Sequence, residues 1–332
     1  MMCSFASRML LLVASIVLAV EMVSGEPVVV FVTSVDQDTS LLEVSKVIVS
    51  PDKKAFVDVA ATTSPWYCSM MNFLSPAVTI NPPGSSPQLY TLYNNENLFT
   101  LQLYGVGPVF PQPAFQLVEN VDFGRDQVVT SLASDDEDQM VIGWGAGLTN
   151  QAPFFAAANV VVVNVTSPYT RETIANVLIT HFNGTHVRLS ADYPPLPGVY
   201  FPEPKLLFVP MIVGEAPGGT PVMAAIDVSS VDVKVLAVFP HLGHLVPLVY
   251  NPVTKEAICS SGATFTSDGR MTGGIDTTLC SNVRPAVDTV NNVLYTVCDS
   301  TFVAVDLESG KTINKASMAD SNVVALDIPA VF

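Results

Sequence analysis

Few side chains in this sequence have the types and spacings that chemistry needs. The one close histidine pair is His241-Leu242-Gly243-His244, and an i, i+3 spacing across a glycine turn does not aim both rings at one ion. His181 and His186 flank another turn and read as ordinary surface imidazoles. The densest acidic run is Ser134-Asp135-Asp136-Glu137-Asp138-Gln139. Calcium takes oxygen ligands, yet the glycine and the terminal glutamate of an EF-type loop are missing at the required offsets. Val35-Asp36-Gln37-Asp38-Thr39-Ser40 is a weaker stretch of the same kind, and both read as solvated loops. The chain has no G-x-S-x-G elbow and no H-E-x-x-H helix signature. No catalytic residue is assigned.

Cysteines say more. Residues 1–25 form a secretory signal: Arg8 gives the basic start, residues 9–20 an apolar run, and Val23-Ser24-Gly25 the small residues before a cut at Glu26. Twelve apolar residues are too few to span a bilayer core of roughly 30 Å. Cys3 leaves with that segment, so Cys68, Cys259, Cys280 and Cys298 enter an oxidising compartment as an even set. No C-x-x-C spacing points to zinc. Four cysteines allow three pairings; the preferred one is Cys259–Cys280, leaving Cys68 with Cys298. Closing a loop of about 20 residues would add roughly 3 kcal/mol. Two sequons, Asn164-Val165-Thr166 and Asn183-Gly184-Thr185, mark expected glycosylation at Asn164 and Asn183. Asn183-Gly184 is also a strong hairpin turn, which sets it at an exposed tip.

The 332 residues are 49 % hydrophobic and only 13 % charged, with 25 prolines and 19 glycines. That mixture favours many short buried strands joined by marked turns and disfavours disorder. Arg8 and Glu21 both leave with the signal, so the net charge of −16 is unchanged. Such a surface repels phosphate backbones and excludes nucleic acid as a partner. No later apolar stretch has spanning length, and no lipid-anchor or retention signal follows. Residues 26–332 are expected to be one exported domain that meets a protein or glycan.

The elements that must position these residues are clearest in residues 284–318. They read as four short strands, 285–289, 293–298, 301–306 and 311–316, broken at Asn291-Asn292, Asp299-Ser300 and Glu308-Ser309-Gly310. A unit of about 40 residues built this way is one blade of a β-propeller. The same pattern recurs. Val47 to Val59 turns at Pro51-Asp52, Val78 to Tyr93 at Pro82-Pro83-Gly84, Gln116 to Thr130 at Phe123-Gly124, and Gly198 to Val213 at Pro202-Glu203. Pro247 to Cys259 parallels Pro285 to Cys298, with separations of 12 and 13 residues. The gap 131–196 must hold a further blade or an insertion, and it includes the apolar run 154–165. The fold class is therefore all-β, a single propeller of about seven four-stranded blades, with six or eight as alternatives. Residues 27–32 and 323–328 each lack a partner strand, and sharing one blade would remove both edges and close the ring.

Phe302-Val303-Ala304-Val305-Asp306-Leu307-Glu308-Ser309-Gly310-Lys311, after Leu294-Tyr295-Thr296-Val297, resembles the repeats of the YVTN and quinoprotein-like propellers. Val49-Ser50-Pro51-Asp52-Lys53-Lys54 before Phe56-Val57 is similar to that repeat's opening hairpin. The resemblance implies a fold; propellers host many unrelated functions. Ala304, Asp306, Ser309, Gly310 and Lys311 match the quinoprotein docking repeat, but Asn314 stands where that repeat has tryptophan. The mismatch argues against a quinone cofactor. Lactonase-like propellers hold calcium in the central channel with carboxylates from several blades, which keeps a calcium-dependent hydrolase as the alternative. Asp58, Asp227, Asp288 and Asp306, at or near strand ends, are its candidates. The favoured reading is an extracellular binding module. Its contact loops are 34–39, 94–97, 214–220, 299–300 and 320–322, which join second to third strands or blade to blade.

Overall fold

A computed structural model describes residues 27–35, 41–50, 56–67, 77–80, 88–95, 98–105, 117–122, 127–148, 156–167, 170–189, 197–214, 218–276, 279–280, 283–318 and 323–328. These residues build six antiparallel sheets, the six-blade alternative to the favoured seven. Blade 1 contains β1 (Val28–Val35), β2 (Leu41–Val49) and β3 (Phe56–Tyr67). Blade 2 is β4 (Ala77–Ile80), β5 (Gln88–Asn95), β6 (Leu98–Gly105) and β7 (Leu117–Asp122). Blade 3 is β8 (Gln127–Asp135), β9 (Met140–Leu148), β10 (Ala156–Ser167) and β11 (Thr170–Ile179).

A hairpin of β12 (His181–Phe182) and β13 (Thr185–Arg188) precedes blade 4, which is β14 (Val199–Phe201), β15 (Leu206–Val213), β16 (Thr220–Asp227) and β17 (Lys234–Phe239). β13 and β14 share one edge of β15, β14 beside its start and β13 beside its end. Blade 5 is β18 (Pro247–Asn251), β19 (Glu256–Cys259), β20 (Ala263–Thr266) and β21 (Met271–Gly274). Blade 6 is β22 (Ala286–Asp288), β23 (Val293–Cys298), β24 (Thr301–Asp306) and β25 (Thr312–Ser317). β26 (Val323–Asp327) then pairs with β1, Phe31 opposite Asp327 and Val32 opposite Leu326, and completes blade 1. The expected ring closure is present.

One expected hairpin is absent. Residues 116–130 do not fold on themselves, because β7 is the last strand of blade 2 and β8 the first of blade 3. Phe123-Gly124, in the stretch between these two strands, lies outside the described residues.

Each sheet packs on both neighbours, so strand interiors are apolar on both faces. Val160, Val161, Val162 and Val163 in β10 are all buried. Val160 and Val162 pack with Leu207, Val209 and Ala224 of blade 4. Val161 and Val163 point the other way along the alternating strand. Phe201, Phe208 and Phe265 fill the seam between blades 4 and 5. Tyr295 and Phe302 of blade 6 fill the seam with Val30, Val32 and Val47 of blade 1.

Candidate functional site

In blades 2 to 6 the first strand lies innermost and in blade 1 β26 does, and the six inner strands touch in the cyclic order β26, β4, β8, β14, β18, β22. They enclose an axial cavity of ≈ 350 Å³ whose lining includes Ser131, Asp135, Trp144, Tyr200, Tyr250 and Arg284. Gly198 opens β14 against Trp144; a Cβ there would lie 2.6 Å from the indole Nε1. Arg284, just ahead of β22 in blade 6, reaches the opposite blade 3, where its Nη1 donates to the carbonyl of Leu132 at 3.1 Å.

Turns joining first to second strands and third to fourth strands lie on one side of the ring. Val228 N bonds to Lys205 O in blade 4, and Leu307 N bonds to Asn292 O in blade 6, tying the two kinds of turn together. This turn face repeats one device. A buried Asp or Asn ends the inner strand and accepts hydrogen bonds from the turn that follows. Asp135 Oδ1 takes Glu137 N and Asp138 N, each at 3.1 Å. Asn251 Oδ1 takes Val253 N at 3.0 Å, and Asp288 Oδ1 takes Val290 N and Asn291 N, both at 3.0 Å. The last turn residue has positive φ in each case, Gln139 (51°), Lys255 (57°) and Asn292 (53°), and Lys205 (66°) closes the blade 4 turn after Phe201 in the same way without an Asp or Asn cap. Asx turns that close in this way are what short polar side chains do best at strand ends.

Two of those positive-φ residues reach back one blade. Lys205 pairs with Asp138 of blade 3, and Lys255 Nζ lies 3.0 Å from Glu203 Oε2 of blade 4. Both ammonium groups are held above the usual lysine range, first of all by the hydrogen bond to the partner carboxylate. The second oxygen of Asp135 accepts the Tyr200 hydroxyl at 2.7 Å, joining inner strands of blades 3 and 4. Burial, and then this carboxylate, push the Tyr200 phenol well above its ordinary value.

Exposed groups on the same face differ in kind. Val231, Val253 and Val290 stand 69 %, 55 % and 85 % exposed at turn tips of blades 4, 5 and 6. Val253 and Val290 occupy equivalent turn positions. Exposed Asp136, Glu137, Glu203, Asp232 and Glu308 stand in turns of the same face.

The structure distributes the sequence-derived candidates widely. Asp227, Asp288 and Asp306 do not converge on the axis; each caps its own turn, Asp227 through Ser229 (2.9 Å) and Asp306 through Ser309 (2.7 Å). No side-chain placement is described for Asp58, and residues 36–40 of the second acidic stretch lie outside the described residues. Among the described residues no three His, Cys, Asp or Glu side chains come together. The run 134–139 is the first turn of blade 3, with Asp135 turned inward. His241 sits in a 3₁₀ turn, Pro240–Leu242, where its Nε2 donates to Gly269 O at 2.7 Å; His244 is exposed beyond the turn. Of the expected contact loops, 299–300 joins β23 to β24 and 214–220 joins β15 to β16, as predicted. Residues 36–39, 96–97, 215–217 and 320–322 lie outside the described residues.

The cysteine pairing differs from expectation. Cys280 bonds to Cys298, with Cα atoms 5.6 Å apart and a sequence separation of 18, and Cys259 is free and buried. Strand alternation is the cause. Cys259 points from blade 5 toward Phe201 and Phe208 of blade 4, whereas its neighbour Ile258 points toward blade 6 with Leu279. The segment carrying Cys280 runs on the blade 6 side, so of the described cysteines Cys298 is the one within reach. Cys68 lies outside the described residues. Asn164 is half-buried near the end of β10, and Asn183 is exposed at the β12–β13 tip.

One juxtaposition escaped the sequence reading. His181 and His186 face each other across the β12–β13 hairpin, ring centroids 4.2 Å apart. The signal was present: a two-residue Asn-Gly turn pairs the residues on either side of it, so His181 must oppose His186.

No protein-family model and no curated protein sequence matches the chain. Solved structures do match in fold. A chain of the nidogen/laminin complex has a TM-score of 0.52 at 10 % identity, covering 92 % of this chain and 98 % of that one. A putative 6-phosphogluconolactonase from Bacteroides uniformis has a TM-score of 0.51 at 9 % identity, covering 92 % and 100 %. TolB from Acinetobacter baumannii has a TM-score of 0.50 at 9 % identity, covering 91 % and 66 %. At such identities the likeness is one of fold, and the chain is a β-propeller.

Proposed function

We propose that this propeller is an exported, glycosylated interaction module whose partner docks on the turn face around the mouth of the axial cavity, the side of the ring opposite the loops expected from sequence to make the contact. One observation carries the reading. Val231, Val253 and Val290 are exposed at turn tips of three consecutive blades, and no other described valine is exposed. Apolar tips ringed by polar groups are the composition of a contact surface. The acidic residues among them, with a net charge of −16, select a partner with a basic rim around an apolar patch. The similarity to a propeller solved in a complex with laminin or nidogen supports a binding role by analogy of fold alone. The Cys280–Cys298 bond supports an oxidising compartment.

The test is a binding screen of the whole chain against an array of recombinant extracellular domains. Each hit is repeated with a Val253→Asp, Val290→Asp double variant and at raised salt. The expected result is a basic partner lost with the double variant and weakened by salt. Partners that bind the double variant equally well would overturn the reading. For the calcium-dependent hydrolase alternative, a calcium-induced rise in Tm reversed by chelator would be the sign.

A further inference from the structure

The hairpin of β12 and β13 is an addition to blade 4 on the opposite side of the ring from the valine tips. Its β13 lies beside the end of β15, and Gly214 N bonds to His186 O. Asn183 and Gly184 both take positive φ, 49° and 76°, a two-residue turn of the primed type that matches strand twist. That turn fixes the register, Phe182 opposite Thr185 and His181 opposite His186. Directly opposed residues project from the same side of a ribbon. The two imidazoles accordingly lie 4.2 Å apart between centroids, tilted by 40°, and both are exposed.

We propose that His181 and His186 form an open two-imidazole site for a divalent first-row transition ion such as zinc. Imidazole nitrogen suits zinc, copper or nickel and not calcium. Zinc sits about 2.0–2.1 Å from each imidazole nitrogen, so the two donors must be separated by roughly 3 Å, within reach of rings this close. Thr180 supplies the outer support: its Oγ1 is 3.0 Å from Nδ1 of His181. When Nδ1–H donates to that hydroxyl, the lone pair of Nε2 is left for the ion, the usual way a hydrogen-bonded partner sets the tautomer of a ligating histidine. The tight turn holds the ligands in place before the ion arrives. Two remaining coordination positions are free for water or for a partner's side chain, as in sites that keep an open position.

Calorimetric titration of the full chain with zinc chloride, with calcium chloride as the control, tests the site. The expected result is one zinc bound per chain, lost in His181→Ala and in His186→Ala, and no calcium response that depends on these residues. Thr180→Val should weaken zinc binding by about tenfold, the lower end of what losing an outer partner costs. A His241→Ala, His244→Ala double variant should bind as the parent does. Both ligands are exposed, and circular dichroism of each variant checks the fold. Absence of zinc binding, or binding that survives removal of both His181 and His186, would overturn the proposal. Because the hairpin and the valine tips lie on opposite faces, neither result bears on the docking face.

Discussion

Tyr200 and Asp135 join two blades through one 2.7 Å hydrogen bond between innermost strands. Asp135 is 2 % exposed, and its other oxygen already holds the turn of blade 3, so the tyrosine hydroxyl completes a buried acceptor. Removing a donor from a buried carboxylate costs about 1–3 kcal/mol. Tyr200→Phe is expected to lose that much stability in urea unfolding, with m unchanged.

The same burial makes the fold sensitive to alkali. Tyr200 and Tyr295 are held above the ordinary phenol value mainly by desolvation, and burial pushes the Cys259 thiol up to about 12. Each group has a higher pKa folded than unfolded, so its contribution is complete below the unfolded value and is lost as pH rises toward the folded one. Stability should begin to fall near pH 9, where an unfolded thiol ionises, and fall more steeply past about pH 10, where unfolded tyrosine does. Urea midpoints between pH 8 and 11 check this. A flat profile there would contradict the burial of all three groups.

How far the sequence revealed this arrangement depends on the range of the signal. Val293–Cys298 and Thr301–Asp306 were legible to the residue, because each is a short β-branched run between unambiguous turns. The parallel between Pro247–Cys259 and Pro285–Cys298 was legible for the same reason, and both are first hairpins of their blades. Phe123-Gly124 misled because a crossing between blades and a hairpin use the same turn residues. Cys259 misled because proximity in sequence says nothing about which face of a strand a side chain takes. The axial cavity was not legible at all: Arg284 and Leu132 are 152 residues apart, and only ring closure brings them together.

The observed disulfide gives a direct chemical test. Peptide mapping under non-reducing conditions should recover Cys280 linked to Cys298, and no Cys259–Cys280 peptide. Cys259, buried among aromatic rings, should resist thiol reagents until the chain unfolds. A Cys280→Ser, Cys298→Ser variant should lose about 3 kcal/mol, the value for a loop of this size.

Gly198 tests the packing at the cavity wall. A methyl group there would meet the indole of Trp144 at its Nε1 and Cε2, 2.6 and 2.8 Å away, so the ring or β14 must move. Overpacking of this kind costs about 1–3 kcal/mol. Gly198→Ala should lower Tm and change Trp144 fluorescence together, because the same contact causes both. A lower Tm with unaltered fluorescence would place the strain elsewhere.

Arg284 separates the two uses to which the axial cavity could be put. Its guanidinium spans from blade 6 to the Leu132 carbonyl of blade 3, the opposite side of the ring. A hydrogen bond from a charged donor in a partly buried setting contributes about 1.5–3 kcal/mol. Arg284→Met keeps the aliphatic length and removes the donor. If the residue is a strut, the variant loses stability by about that amount while the proposed binding on the valine face keeps its affinity in both low and raised salt. If instead the partner inserts an anionic group into the cavity, affinity falls in parallel, and its salt dependence falls with it. The acidic turns around the mouth oppose entry of an anion. The expected outcome is therefore loss of stability alone, measured by urea unfolding beside surface-based binding of the same protein.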